Sequence, residues 1–181
     1  MHGGFEELSA LIFEIGDLIV YSGEGVCRVE GIGTPPLAGV NKQRQYYSLK
    51  PLYREGMVYA PVDTNVFMRP VISRAEADAL IRRIPEIEPE VYENSNLRFL
   101  NEHYQAQLQN YTCEGLIKLI RSTRAKREIM LGRGKKLGLV DERYMKRAED
   151  MLHGEFAVAL GIERSAVPGY ISERLDSLQT V

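Results

Sequence analysis

Residues 13–32, Phe-Glu-Ile-Gly-Asp-Leu-Ile-Val-Tyr-Ser-Gly-Glu-Gly-Val-Cys-Arg-Val-Glu-Gly-Ile, constrain the fold of this chain more than any other stretch. Gly16-Asp17 reads as a turn, Leu18 to Tyr21 as a strand, Gly23-Glu24-Gly25 as a second turn and Val26 to Ile32 as a second strand. A hairpin punctuated this way opens a small, strongly bent β-barrel. Further strands are expected over 44–52 and 57–62, with a short piece near 66–71. The link from Thr34 to Asn41 holds Pro35-Pro36 and Gly39, which suits a hairpin loop, and Arg54-Glu55-Gly56 is a tighter turn. Alternation of apolar and polar residues is imperfect, so the sheet should be curved and partly two-sided.

Ser73 opens a helical regime. Ser73-Arg74-Ala75-Glu76 matches the capping box, in which serine and glutamate side chains satisfy free amides at a helix start. The helix should run to about Ile84, where Pro85 and Pro89 in Pro-Glu-Ile-Glu-Pro-Glu stop it and form an extended acidic linker. A helix over 95–111 follows, with Leu97, Leu100, Tyr104, Leu108 and Tyr111 on one apolar stripe. Thr112 is placed to cap the next helix, which reaches about Leu131. Asp141 is placed to cap a third, closed near Leu160 by Gly161 as a left-handed C-cap. A last short helix falls within 165–177. The expected class is α+β: an N-terminal extension over 1–12, a small Tudor-like β-barrel over 13–72, a helix and linker over 73–90, and an all-helical domain over 91–181.

Composition narrows the function classes. No apolar run reaches the roughly 18 residues of a membrane helix. The first ten residues include Glu6 and Glu7 but no Lys or Arg, so a basic signal-peptide start is not expected and a cytoplasmic location follows. Cys27 and Cys113 are too few for a disulfide framework, and His2, His103 and His153 lack metal-ligand spacing. No metal, cofactor or small-molecule substrate is expected. The formal net charge of −2 hides an asymmetry: residues 118–147 carry 11 basic against 3 acidic residues, a local +8. Positive charge this concentrated attracts phosphate backbones.

Signs of catalysis are weak. The loop Gly132-Arg-Gly-Lys-Lys-Leu-Gly138 is not a P-loop: a helix precedes it and no Ser or Thr follows Lys136. Cys113 near a helix start has no sequence-evident base, and Cys27 reads as a small core residue. With no convergent catalytic set, a non-enzymatic protein is expected. Met57-Val58-Tyr59-Ala60-Pro61-Val62 is more telling, because a strand that ends in proline belongs at a sheet edge, and an exposed edge can accept a strand from a partner. Of the pair Tyr46-Tyr47, one ring should face the core and the other solvent or a partner.

The ordered landmarks Phe13-x-Ile-Gly-Asp-x-Ile-Val-Tyr, Gly25-Val26, Tyr46-Tyr47-x-Leu49, Val58-Tyr59-Ala60-Pro61-Val62 and Arg69-x-Val71-Ile72-Ser73 resemble the CarD family of bacterial transcription regulators. That family shares its first domain with transcription-repair coupling factors. Asp141-Glu142 to Leu152 and Gly154-Glu155-Phe156-Ala157 are similar to its closing signature. The resemblance implies that the first domain docks on the RNA polymerase β subunit by strand pairing, with Tyr47, Met57, Val58, Tyr59 and Pro61 as contacts. It implies that the helical domain lies on promoter DNA and shifts open-complex stability. Arg98, Phe99, Lys118, Arg121, Arg124, Arg133, Lys135, Lys136, Arg143, Lys146 and Arg147 are the candidates for that contact. The alternative is an adaptor whose helical domain binds another protein. Two departures stand out. The chain has no Trp, so Leu100, beside Phe99, occupies the place of the family's minor-groove wedge, although it also fits the helix's core stripe. Tyr59 and Pro35 stand where some members carry arginines against polymerase.

Overall fold

A computed structural model describes residues 13–108 and 111–179; the expected 1–12 extension lies outside them. The chain divides into two compact units, Met1–Pro70 and Val71–Val181.

The first unit is an antiparallel sheet of five strands: β1 (Leu18–Tyr21), β2 (Val26–Gly33), β3 (Tyr46–Pro51), β4 (Val58–Pro61) and β5 (Met68–Pro70), in the order β4-β3-β2-β1-β5. Gly16 and Gly25 take φ of +97° and +74°, values that favour glycine, and they turn the chain into β1 and into β2. A register shift between Val29 and Gly31 makes Glu30 the extra residue of a bulge, which adds twist to β2. Ile19, Cys27, Val29, Tyr47, Leu49 and Ala60 are buried along one face, with Phe13 packed on them and donating its N–H to the Tyr47 hydroxyl at 3.0 Å. Val20 and Val26 are buried on the other face, so the sheet is two-sided.

The expected barrel is not closed. Closure would need β4 to pair with β5, and these strands form the two open edges. Backbone chemistry accounts for this. Val62 donates to the Gln45 carbonyl, which makes 45/62, 47/60 and 49/58 the hydrogen-bonded pairs of the β3–β4 register. The nitrogen of Pro61 therefore faces away from β3. Ser22 donates to the Phe67 carbonyl, so the same alternation turns the nitrogen of Pro70 away from β1. Each edge strand thus carries a proline where a further partner would need a donor.

The second unit contains α1 (Arg74–Arg83), α2 (Leu97–Leu108), α3 (Cys113–Gly132), α4 (Leu139–Leu160) and α5 (Val167–Gln179). Ser73 and Glu76 form the expected capping box, Thr112 Oγ1 accepts from Gly115 N, and Gly161 ends α4 in the left-handed conformation. The helix and linker over 73–90 are part of this unit rather than a spacer. Ala77, Ile81 and Ile87 are buried in its core with Leu100, Tyr104, Leu116, Leu152 and Phe156. Apolar burial outweighs the extended tendency of Pro85 and Pro89, and the chain between α1 and α2 lies along α3, where Glu90 N donates to Ser122 Oγ at 2.9 Å.

Asp141 does not cap α4. The helix starts earlier, with Gly138 as its N-cap, and Asp141 sits in the first turn with its carboxylate buried. It accepts from Lys126 Nζ of α3 at 2.9 Å and from the Tyr104 hydroxyl of α2. Burial and then Asp141 push the Tyr104 phenol well above its ordinary pKa. A side chain at position 138 would bring its Cβ to 3.0 Å from Asp141 Oδ2, so glycine leaves room for the carboxylate. Glu155 is a second buried acid, accepting from Ile72 N and from the Cys113 thiol, each at 3.1 Å.

Removing one member of the Lys126–Asp141 pair leaves a buried uncompensated charge. Lys126→Met should destabilise the helical unit by about 3–5 kcal/mol in urea denaturation. Adding Asp141→Asn, which still accepts from Tyr104, should recover part of that loss.

Candidate functional site

Two surfaces carry the sequence-predicted residues. The first is the outer edge of β4. From the β3–β4 register, Val58 and Ala60 spend their backbone groups on Leu49 and Tyr47, while Tyr59 turns its N–H and C=O away from the sheet. Pro61 adds only a carbonyl. Side chains alternate in step: Val58 and Ala60 face the core that holds Leu49 and Tyr47, and Tyr59 lies on the opposite face with Ser48. Met57 precedes the strand and is exposed.

Tyr47 does not belong to this surface. It is 1% exposed, in edge-to-face contact with Phe13, and its hydroxyl is taken up by the Phe13 amide. It is the core member of the tyrosine pair, and Tyr46 is the one left half-buried.

The second surface is on the helical unit, where the eleven cations of the 118–147 window divide sharply. Five form ion pairs: Lys118 with Glu90, Arg124 with Glu149, Lys126 with Asp141, Arg133 with Glu93 and Lys146 with Asp150. Lys118 holds the Glu90 carboxyl below the usual carboxylate range. Arg121 turns partly inward and donates Nη1 to the Ile84 carbonyl at 2.7 Å. These pairings set acids beside Lys118, Arg124 and Arg133 and aim Arg121 at a backbone carbonyl, so the positive face expected of them is partly neutralised. The sequence does not show that acids outside the window, Glu90 and Glu93 before α2 and Glu149 on α4, fold back onto α3.

Arg143, Lys146 and Arg147 remain exposed on the outer face of α4, with Lys135 and Lys136 exposed in the loop before it. The Lys146–Asp150 pair spans one turn in solvent, with both side chains more than half exposed, so it holds Lys146 weakly. Arg143 is positioned by α2: Nη2 donates to Asn101 Oδ1 at 2.8 Å, and its guanidinium lies 5.3 Å from the Tyr144 ring centre. Arg98, near the start of α2, pairs with Glu102 at 2.9 Å in solvent. Phe99 is 50% exposed, whereas Leu100 is 4% exposed and sits in the core. Leu100 is therefore no wedge, and Phe99 is the aromatic that α2 presents to solvent.

The two cysteines are buried, and burial pushes the Cys27 thiol up to about 11, the opposite of an activated nucleophile. Among the described residues no group of His, Cys, Asp and Glu could hold a metal ion. Among them, too, no helix is long and apolar enough to cross a membrane.

An open strand edge on a small twisted sheet can accept a strand from a partner. Residues 13–72 match the family model of the CarD-like/TRCF RID domain, so the sheet unit is a CarD-like RNA polymerase-interacting domain, and RNA polymerase is its partner. No curated protein matches the chain. The family match ends at Ile72, before α1.

The register distinguishes two proline substitutions. Tyr59→Pro removes an outward N–H and should abolish retention of RNA polymerase in a pull-down while the sheet stays folded. Val58→Pro removes an inward ladder bond and should lower the melting temperature of the sheet unit instead. Equal retention by wild type and a folded Tyr59→Pro variant would exclude docking at this edge.

Proposed function

We propose that this protein is a non-enzymatic transcription accessory factor that tethers to the β subunit of RNA polymerase and contacts promoter DNA, shifting the stability of the open complex. The observation that carries the reading is the outward-facing backbone of Tyr59 on an open edge of the polymerase-interacting sheet. The partner adds a strand along β4, with Met57 and Tyr59 supplying side-chain contact. Tethering raises the local concentration of promoter DNA, so a modest basic surface suffices at the second contact.

That second contact is the outer face of α4. Arg143, Lys146 and Arg147 recur at helical spacing, and Lys135 and Lys136 extend the positive charge into the preceding loop. No base-reading motif accompanies them, so the contact is with phosphates and nearly independent of sequence. Phe99 is the exposed apolar side chain suited to lie against an unstacked base step. A second reading, in which the helical unit binds another protein, is favoured by the five ion pairs that neutralise much of the basic window.

Binding to a promoter fragment across a salt series separates the two. Arg143→Gln, Lys146→Gln and Arg147→Gln together should weaken DNA binding and flatten its log–log salt slope by roughly 0.9 for each phosphate that is no longer neutralised. An unchanged slope would favour the protein-binding reading. Phe99→Ala should leave the melting temperature near that of wild type and shorten the open-complex lifetime. Leu100→Ala should cost about 2–5 kcal/mol of stability, as for other buried leucines. A stable Leu100→Ala protein with impaired promoter opening would reverse these two assignments.

A further inference from the structure

Leu139 is the most exposed large apolar side chain among the described residues, at 84%. Its neighbours hold it there. Leu137, two residues before, is buried, and Asp141, two residues after, is tied inside the core to Lys126 and Tyr104. Gly134, in the left-handed conformation, turns the chain out of α3, and Lys135 N donates back to the Met130 carbonyl at 2.8 Å. The corner between α3 and α4 is thus anchored on both sides of Leu139, and the leucine stands outward from it.

Its surroundings are charged. At about 100° per residue, Leu139 bears between Arg143 and Lys146, about 40° from the first and about 20° from the second. Lys135 and Lys136 precede it in the loop, so cations flank the leucine on both sides along the chain. Glu142 and Asp150 are the acids on this side, two against the five cations Lys135, Lys136, Arg143, Lys146 and Arg147. An apolar group between positive charges complements a polymer that alternates in the same way, and a nucleic-acid strand sets a sugar between successive phosphates. At C2′ that sugar is apolar in DNA and carries a hydroxyl in RNA. Leucine packed on a 2′-methylene removes apolar surface from water, whereas on a 2′-hydroxyl it covers a polar group that it cannot pair.

We propose that Leu139 selects DNA over RNA on the basic face of α4, by packing on a deoxyribose between phosphates held by the loop lysines and by Arg143. The inference rests on the reading of that face as a DNA contact. It adds discrimination of the sugar to a contact that is nearly blind to base sequence. RNA polymerase presents DNA and newly made RNA together, and this discrimination keeps the helical unit on the DNA.

Titration of the full-length protein with a promoter DNA duplex and with an RNA duplex of the same sequence, across a salt series, tests it. Leu139→Ser changes an exposed first-turn position and should melt like wild type. No charge is lost, so its DNA salt slope should match that of wild type. Its DNA affinity should still fall at least about fivefold with RNA affinity unaltered, lowering the DNA-to-RNA ratio by the same factor. Leu139→Met keeps apolar surface and should retain the wild-type ratio. An unchanged DNA affinity or an unchanged ratio in Leu139→Ser, beside a flattened slope in the Arg143, Lys146 and Arg147 triple variant, would overturn this inference and leave the DNA contact standing. An unchanged slope in the triple variant would remove both.

Discussion

One carboxylate organises the helical half of this protein. Asp141 lies in the first turn of α4, where the helix macrodipole favours negative charge. It takes a proton donor from each of two other helices, Tyr104 of α2 and Lys126 of α3. A buried ion pair of this kind adds little net stability compared with an apolar substitute, but it penalises any packing that separates its members. Lys126 ties α3 to α4 from within the core, and Arg124 of α3 meets Glu149 of α4 nearer the surface. With Tyr104 held, Asn101 one turn earlier is placed to receive Arg143. The exposed basic face of α4 is aligned from the inside.

The same arrangement changes what net charge means for this chain. A local excess of eight positive charges describes sequence proximity. Folding brings in acids from before α2 and from the middle of α4, and it takes Lys126 out of solvent altogether. The field offered to a partner comes from the cations left without buried or close acidic neighbours, and these concentrate on α4 and the loop that leads into it. Mutating Lys118 or Arg133 disturbs an intramolecular pair as well as the surface potential, whereas mutating Arg147 changes the surface alone.

The sheet is legible in the sequence because its signals are local. Turn glycines, β-rich runs and a terminal proline each act over a few residues, and all five strands appear at the expected places, with the ends of β3, β4 and β5 trimmed. Caps are legible for the same reason at Ser73, Thr112 and Gly161. What cannot be read depends on distance. Asp141 has the side chain of a cap, and only Tyr104 and Lys126, many residues away, draw it inward. Pro85 and Pro89 signal an extended linker, yet Ile87 between them is buried against helices whose position the local sequence does not encode. Barrel closure is equally hidden, because it depends on whether two edge strands meet, and the prolines that discourage their pairing stand at separate places along the chain. Tyr46 and Tyr47 differ only in which face of β3 they occupy, a choice set by the pairing of Tyr47 with Ala60.

The outward prolines of β4 and β5 also bear on how the protein behaves at high concentration. An exposed sheet edge is a template for self-assembly, and each added strand normally presents a fresh edge to the next. Within β4 only Tyr59 offers both a donor and an acceptor to the outside, and at Pro61 the pattern of donors is interrupted. A guest strand can gain a short ladder there but cannot extend it, and two copies meeting edge to edge would each find the same gap. The edge thus suits a short guest ladder and makes a poor first rung for a fibre.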